Sequence, residues 1–380
     1  MKFVVSNSDL LAHMQAISKV IVSKPQNPIQ SHILLTLQGN RLTMRATGPD
    51  TTVSAVLELS SASQDGSAAV PAKFILDMLS TFSGSEQPLT FDIDEETHGI
   101  TVYSENGQYA FTGQDSQLFP TDPEFREDQL VSFEMNAGIF ISAFASTIFA
   151  TGEDEYRPVM SGILMEFDGQ TVTFVSSDAH KLVRYRYHLP ETESVPGSGS
   201  FIIHKKPAGL LKNLLTRTSS KVQVKFDDKN AMFSFDEYTL ICRLIAGRFP
   251  NYNSVIPQHN PNVVTIDRQL FLNSLTRAQV FATQSTLLVT LSLSGNQITL
   301  VSQDTDTATR SKESLKCQYE GQDMEIGFKS EYLIGILASL TSTEVQMQLS
   351  DPTRPGLIVP VGASEDQAED VLMLLMPMKV

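Results

Sequence analysis

The stretch Gly169–Leu182, GQTVTFVSSDAHKL, decides the fold. Its first half alternates the apolar residues Val172 and Phe174 with threonines, which predicts a strand with one buried face. Its second half is a polar turn that carries a lysine. The strand half recurs as GNRLTMRA from Gly39 and as GNQITLVS from Gly295. The copies lie about 130 residues apart, and this period indicates three copies of one domain because it is too long for a solenoid.

Two further blocks repeat in the same order. An opening helix carries an apolar residue at Leu10, Ile139 and Leu270, and a strand that leads into an apolar helix carries a lysine at positions 73, 206 and 329. Segments such as Leu89–Ile93 alternate apolar and polar residues, as do strands of antiparallel sheets with one wet face. The pattern predicts an α+β fold with helices over 8–22, 72–82, 137–151, 203–217, 267–282 and 329–340.

Proline-rich polar stretches mark the domain boundaries. Phe119–Phe125 ends the first copy, and Phe249–Pro261 separates the second from the third. The predicted domains are residues 1–125, 126–256 and 257–380. A chain of 380 residues is long enough for two or three cores of ordinary size.

Charge alone gives an ambiguous indication of the partner. The formal net charge is −15 and the pI is about 4.9, which disfavours binding to a polyanion. The predicted helices, however, carry more lysine and arginine than aspartate and glutamate. This bias fits helices that face nucleic acid phosphates, and it fits chance sampling of six short windows equally well.

The remaining composition favours a cytoplasmic protein. Cys242 and Cys317 have no metal-type spacing, so free thiols are the main interpretation and a single disulfide the lesser one. The N-terminal segment has no apolar run of signal-peptide length, and no stretch approaches the length of a membrane span.

No sequence motif specifies a reaction, a metal site or a cofactor. The chain has no phosphate-binding GxxxxGK[ST] loop, no GxGxxG after a strand, no HExxH and no GxSxG. Asp178 and His180 are a candidate acid–base or metal pair, but a hydrogen-bonded turn is the more common role of such a pair. Asp304 and Asp306 form a similar pair, and the more common role of such residues is that of surface acids. We therefore expect no catalytic residue, no metal and no cofactor.

The C-terminal tail has two interpretations. Leu372–Leu375 is predicted to be a last buried strand, and Pro377 ends it because proline has no N–H to donate. Met376 and Met378 then lie near the chain end, where methionines form adaptable surfaces for apolar peptides. A frayed terminus is the alternative, and the sequence by itself does not separate the two.

Six segments together resemble the bacterial DNA polymerase sliding clamp, the β subunit of the replicative polymerase. They lie in all three copies and extend from the first residue to the last: MKF at the start, VPAKF at 70–74, SSDAHKL at 176–182, AGRFPNYNSVIP at 246–257, MEIGF at 324–328 and MPMKV at the end.

The resemblance implies a fold and a function. The fold would be three copies of one DNA-clamp domain per subunit, with two subunits closing head to tail into a dimeric ring. The ring would encircle double-stranded DNA without sequence preference and tether the replicative polymerase, and it would bind the clamp loader and other proteins with short clamp-binding peptides. Two alternatives are a repeat adaptor that binds peptides without DNA and a hydrolase that uses Asp178 and His180.

The resemblance also implies site residues. The DNA-facing residues would be Lys24, Lys73, Lys205 and Lys206, and the dimer contact would join Tyr109 and Phe111 to Val280 and Phe281. The partner-peptide pocket would be formed by Met160, Ser177, Ala179, His180, Lys181, Leu182, Pro250, Val255, Leu374, Met376, Pro377, Met378 and Lys379.

Three positions depart from the family pattern. The family commonly has glycine where Ala179 stands, and arginine where Lys181 and Ser254 stand. These departures concern the shape and the polar rim of the pocket.

Overall fold

The computed structural model describes residues 1–82, 88–190, 195, 197–215, 221–362 and 368–380. The helices within these ranges match the predicted ones to within a few residues at each end. Residues 216 and 217 of the fourth predicted helix lie outside the described residues. The helices are α1 (Asn7–Ser18), α2 (Ala72–Thr81), α3 (Ala137–Thr147), α4 (Lys205–Leu215), α5 (Arg268–Gln279) and α6 (Ser330–Ser339).

The strands follow the predicted alternation, and all of their pairings among the described residues are antiparallel. In chain order they are β1 (Lys2–Ser6), β2 (His32–Gln38), β3 (Arg41–Thr47), β4 (Thr51–Glu58), β5 (Ser61–Gln64), β6 (Gly66–Pro71), β7 (Pro88–Ile93), β8 (Gly99–Tyr103), β9 (Gln108–Thr112), β10 (Val131–Asn136), β11 (Gly162–Asp168), β12 (Thr171–Ser177), β13 (Lys181–His188), β14 (Ser198–His204), β15 (Lys221–Phe226), β16 (Asn230–Phe235), β17 (Tyr238–Arg243), β18 (Asn262–Asp267), β19 (Leu288–Ser294), β20 (Gln297–Asp304), β21 (Thr309–Lys316), β22 (Gln318–Glu320), β23 (Met324–Lys329), β24 (Glu344–Leu349), β25 (Gly356–Pro360) and β26 (Glu369–Leu375).

The chain forms two compact units. The first contains Met1–Gly138 and Gly209–Leu244. It holds a five-stranded sheet in the order β5-β1-β7-β8-β9 and an eight-stranded sheet in the order β10-β15-β16-β17-β4-β3-β2-β6. Helix α1 begins where the Ser6 hydroxyl accepts a hydrogen bond from the backbone N–H of Asp9, a typical N-cap.

The second unit contains Ile139–Ala208 and Ile245–Val380. It holds a nine-stranded sheet in the order β14-β11-β12-β13-β26-β25-β24-β18-β22 and a four-stranded sheet in the order β21-β20-β19-β23. Helices α5 and α6 pack against each other. One buried core includes Phe271 and Leu275 of α5, Leu333 of α6 and Val183 of β13.

Sheets run continuously from one predicted domain to the next. Strand β4 of the first domain pairs with β17 of the second, and β13 of the second pairs with β26 of the third. The α+β class with repeated antiparallel sheets is confirmed. The boundaries at residues 125 and 256 remain predictions.

Two further observations concern the cysteines and the helices. Cys242 and Cys317 are free, the first buried and the second half-buried. A search of the described ranges for a helix long and apolar enough to cross a membrane finds none.

Candidate functional site

Asp178 builds the turn between β12 and β13. Its Oδ1 accepts hydrogen bonds from the backbone N–H groups of His180 at 2.9 Å and Lys181 at 2.8 Å. Its Oδ2 forms an ion pair with Nζ of Lys181, whose side chain is only 8% exposed. Ala179 at the apex has φ of 75°, the left-handed region that glycine adopts most easily. The Asp178 carboxylate and Lys181 therefore fix a turn that exposes Ala179.

The C-terminal tail continues the pairing of β26 past the end of the strand. Leu375 lies opposite Lys181, and the next N–H, of Met376, donates to the carbonyl of His180 at 2.8 Å. Two residues later the N–H of Met378 donates to the carbonyl of Gly327 at 2.8 Å. A Cβ on Gly327 would lie 2.9 Å from the Met378 carbonyl oxygen, so a glycine is needed for this close approach. The tail is thus pinned by backbone hydrogen bonds, against the frayed alternative.

A cavity of about 260 Å³, which we name the apolar pocket, lies where this turn meets the tail. Leu182, Leu374, Phe249 and Tyr252 belong to one buried apolar cluster and form its floor. Its full lining is Met160, Ser177, Ala179, Lys181, Leu182, Phe249, Pro250, Asn251, Tyr252, Val255, Leu374 and Met376.

Ser177 and Lys181, two polar residues of the apolar pocket, already have partners within the protein. The Ser177 hydroxyl donates to the carbonyl of Lys181 at 2.9 Å and accepts from the N–H of Ala179 at 3.1 Å. The Lys181 ammonium is held by Asp178 and lies 4.2 Å from the ring centroid of Tyr332. Because these polar groups already have partners, they are not available to form hydrogen bonds with a ligand. The pocket therefore favours apolar side chains. Its volume is below the roughly 300–1,000 Å³ of drug-sized sites, which suits one or two side chains of a peptide.

Tyr252 is held in the floor of the pocket by its backbone and by its phenol. It begins a short 3-10 helix, Tyr252–Val255, that follows the Phe249-Pro250 step. The phenol donates to Oε2 of Glu166 at 2.7 Å. Burial of the ring, together with this hydrogen bond to the carboxylate, raises the pKa of Tyr252 to about 12.

The structure brings together most of the pocket residues that the resemblance names, and leaves four out of the cavity lining. The His180 ring is stacked on Tyr332 with centroids 6.1 Å apart, and Lys379 is exposed. Pro377 and Met378 are half-buried along the tail beyond the cavity. The role of all these residues in peptide binding remains a prediction.

Sequence reasoning missed three lining residues, Phe249, Asn251 and Tyr252. The Phe-Pro-Asn-Tyr segment was interpreted as a linker because it recurs as Phe-Pro at 119–120 and is rich in turn residues. The two aromatic residues in this polar segment could have indicated that it is partly buried, since buried aromatics contribute large apolar surfaces.

The lysines proposed to face DNA lie in different environments. Lys73 pairs with Asp77 across one turn of α2 at 2.9 Å, and Lys205 pairs with Glu153. Lys24 and Lys206 are exposed, and neither forms an ion pair with any residue in the described ranges.

The residues proposed for the dimer contact are partly exposed apolar groups. Tyr109 and Phe111 lie on β9, an edge strand of the five-stranded sheet. Val280 and Phe281, which follow α5, are 74% and 38% exposed. The Phe111 ring packs against that of Phe74 with centroids 4.9 Å apart.

The pairs Asp178–His180 and Asp304–Asp306 both lie in hydrogen-bonded turns. Asp178 accepts three hydrogen bonds within its own turn, and the His180 ring is packed on Tyr332, so neither group is poised for acid–base chemistry. Asp304 likewise accepts from the N–H of Asp306 at 3.0 Å. No group of three or more metal-ligating side chains occurs in the part of the chain that the structure describes.

Comparisons with known proteins agree along the entire chain. Three family models match: the N-terminal domain of the DNA polymerase III beta subunit at residues 1–123, the central domain at 134–251 and the C-terminal domain at 253–379. The "Beta sliding clamp" of Haemophilus influenzae is 26% identical over 352 residues, 92% of this chain and 93% of the relative. That of Synechocystis sp. is 26% identical over 401 residues and covers both chains completely.

Solved structures share the fold. The DNA polymerase III subunit beta of Pseudomonas aeruginosa superposes with a TM-score of 0.92 at 22% identity, covering 100% of both chains. The beta subunit of Thermotoga maritima gives 0.89 at 22% identity, covering 100% of this chain and 99% of the other.

Proposed function

The chain belongs to the DNA polymerase III beta subunit family, and on that premise we propose that it is a processivity clamp whose apolar pocket holds the peptides of its partners. It is a non-catalytic accessory subunit. Two copies close into a ring around duplex DNA in the cytoplasm, and the ring slides while it tethers the replicative polymerase. The clamp loader and other proteins with short clamp-binding peptides use the same pocket.

One observation carries the proposal for the pocket. The turn at Ala179, the Phe249–Tyr252 segment and Met376 come from three distant parts of the chain and enclose one apolar cavity. Its rim residues Val255 and Met376 are 51% and 38% exposed, so an incoming apolar side chain buries surface on the rim as well as on the floor. A few buried anchor side chains carry most of the binding energy in complexes of this kind.

Equivalent strands support head-to-tail closure between two copies. Strands β4, β13 and β21 are the fourth strands of the first, second and third repeats. Strands β9, β17 and β26 are the last strands of the same three repeats. In the subunit β4 pairs with β17 and β13 pairs with β26, both antiparallel. The third equivalent pair, β9 with β21, would form between one copy and another. Both strands lie at sheet edges with mostly exposed side chains.

The ends of equivalent helices support the same closure. Ile148-Phe149-Ala150 follows α3, and Val280-Phe281-Ala282 follows α5. The first segment packs on α6, where a Cβ on Gly335 would lie 3.4 Å from the Phe149 ring. Helix α2 is the equivalent of α6 in the first repeat, so Phe281 of one copy is expected to pack on α2 near Phe74 of the other. That contact would cover the exposed Val280 and Phe281.

The lysines at 24, 73, 205 and 206 are proposed to line the hole of the ring. Contacts of this kind are weak and sensitive to salt, so retention on DNA depends on closure of the ring and the acidic net charge is no obstacle.

Deleting residues 376–380 tests the pocket. Removing Met376 takes away part of the wall, so we expect the variant to lose binding of a polymerase-derived peptide in fluorescence anisotropy. The same variant should still form the dimer, because β9 and β21 are intact. The unmodified chain, which the clamp loader can engage, should be retained on nicked circular DNA and released when the circle is linearised.

Val380→Ala is the matched control, since Val380 is exposed, lies outside the cavity lining and is not among the pocket residues that the resemblance implies. It should bind the peptide as the unmodified chain does. Undiminished peptide affinity after the deletion would rule out the pocket, and retention that ignores linearisation would rule out the ring.

A further inference from the structure

A second cavity of about 600 Å³ lies on the other side of Tyr252, and we name it the polar groove. Its lining comes from four adjacent strands of the nine-stranded sheet, β14, β11, β12 and β13. In contrast to the apolar pocket, it is lined by side chains with charges and hydroxyls, among them Glu166, Asp168, Thr173, Arg186, His188 and Ser200.

The two carboxylates of the polar groove have partners in the protein. Glu166 accepts the hydrogen bond from the Tyr252 phenol at 2.7 Å. Asp168 accepts from the backbone N–H of Thr171 at 3.0 Å, at the turn between β11 and β12. The His188 ring lies 3.3 Å from the Thr171 hydroxyl.

Arg186 is the exception. Asp370 lies directly opposite it on β26, but the carboxylate of Asp370 pairs with Arg184 at 2.7 Å. Within the described ranges the guanidinium of Arg186 has no carboxylate within ion-pair distance, although the side chain is half-buried. Its positive charge acts on the nearby Tyr252 phenol. A half-buried guanidinium with its hydrogen-bond donors available favours a carboxylate, which it binds with two parallel hydrogen bonds.

Tyr252 connects the two cavities, since it lines both. A peptide that fills the apolar pocket therefore lies beside the residue that also lines the polar groove. We propose, on the basis of the peptide-binding function above, that the polar groove binds an acidic side chain that flanks the apolar residues of the partner peptide, with Arg186 as its cationic partner. Thr173 and Ser200 offer further hydroxyl donors beside it.

Pairs of peptides test this proposal by fluorescence anisotropy. Each pair shares the apolar residues and differs by Glu or Gln at one flanking position, on either the N-terminal or the C-terminal side. The unmodified chain should prefer the acidic peptide of one pair by about three- to tenfold at low salt, as for a charge-assisted hydrogen bond at a half-buried site. The preference should shrink as salt screens the charges.

Arg186→Gln should abolish this preference while binding the neutral peptide as before, and Arg186→Lys should keep part of it because the charge remains. Arg243→Gln, an equal change in net charge at an exposed site outside both cavities, should behave as the unmodified chain does.

Two results would overturn the inference. One is equal affinity of the unmodified chain for both members of every pair. The other is an undiminished preference in Arg186→Gln, and if retention of this variant on DNA is weakened as well, the groove binds phosphate instead. If no peptide binds the unmodified chain at all, the apolar pocket itself has failed, and that outcome is distinguishable from the other two.

Discussion

Strands β13 and β21 hold the same place in the second and third repeats, but their outer edges differ. Strand β26 covers β13 along seven residues, from Lys181 opposite Leu375 to Tyr187 opposite Glu369. Strand β21 is the edge of its four-stranded sheet in the described part of the chain. The difference shows how one domain, used three times, joins its neighbour at one end and remains available for a second copy at the other.

The side chains of the two strands match these environments. Val183 and Tyr185 of β13 are completely buried. The β21 sequence, TRSKESLK, alternates exposed and half-buried residues and carries Arg310, Lys312 and Lys316. Charged side chains on an open edge disfavour uncontrolled pairing with other strands, so this edge is selective for its partner.

The largest expected effect comes from breaking the covered edge. Val183→Asp places a carboxylate in the main core of the second unit, beside Met373 of β26, where neither residue is accessible to solvent. We expect the free energy of unfolding to fall by about 3–5 kcal/mol, measured by chemical denaturation. Lys312→Asp on the open edge should change the free energy of unfolding of the dissociated subunit by less than about 0.5 kcal/mol. Similar losses for both would mean that β21 is covered within the subunit.

The next effect concerns the partner of the open edge. Phe111→Asp on β9 introduces a charge at the proposed contact with β21 and should weaken dimerisation by about a hundredfold or more, measured by sedimentation equilibrium. The subunit should stay folded, because Phe111 is only half-buried.

Ser63→Asp is the control for that variant, since β5 is the opposite edge of the same sheet. It should leave the dimer unchanged. A Phe111→Asp variant that remains fully dimeric would exclude β9 from the interface.

The smallest expected change in stability concerns the turns that precede β13 and β21. Ala179 before β13 has φ of 75°, and Ala308 before β21 has φ of 53°. Replacing either by glycine relieves left-handed strain and should raise the free energy of unfolding by about 0.5–1 kcal/mol each, after the entropy of the unfolded chain is included. Only Ala179→Gly should also change peptide affinity, because only Ala179 lines the apolar pocket. Equal peptide affinity in both variants would remove Ala179 from the binding surface.

Local sequence patterns predicted the elements well because their causes are local. The apolar spacing of Leu10, Met14 and Ile17 predicted α1, and all three residues are completely buried. The predicted end of this helix, Val22, was wrong by four residues, since α1 ends at Ser18. Nothing in the apolar spacing marks that end, because Ile21 continues the pattern and is half-buried after the helix has stopped.

The site was harder to predict, because it depends on contacts between distant segments. The resemblance led to the turn at Ala179, to the tail and to Pro250 and Val255, but not to Phe249, Asn251 and Tyr252 beside them. The sequence likewise gives no sign that Arg184, and not Arg186, pairs with the carboxylate of Asp370. Asp370 is 186 residues away from Arg184 along the chain and is adjacent to it only through sheet pairing.

The sequence by itself determined the three repeats, the alternation that makes antiparallel strands and the family, because each of these is written in the order and spacing of residues along the chain. Only the tertiary structure decided that the turn after Ser177 meets the tail at Met376, that Tyr252 lines both an apolar pocket and a polar groove, and that Asp370 pairs with Arg184 and leaves Arg186 without an ion pair among the described residues. The physical reason is that strand register brings together side chains far apart in sequence, and burial there determines which charges and which apolar surfaces remain for a partner.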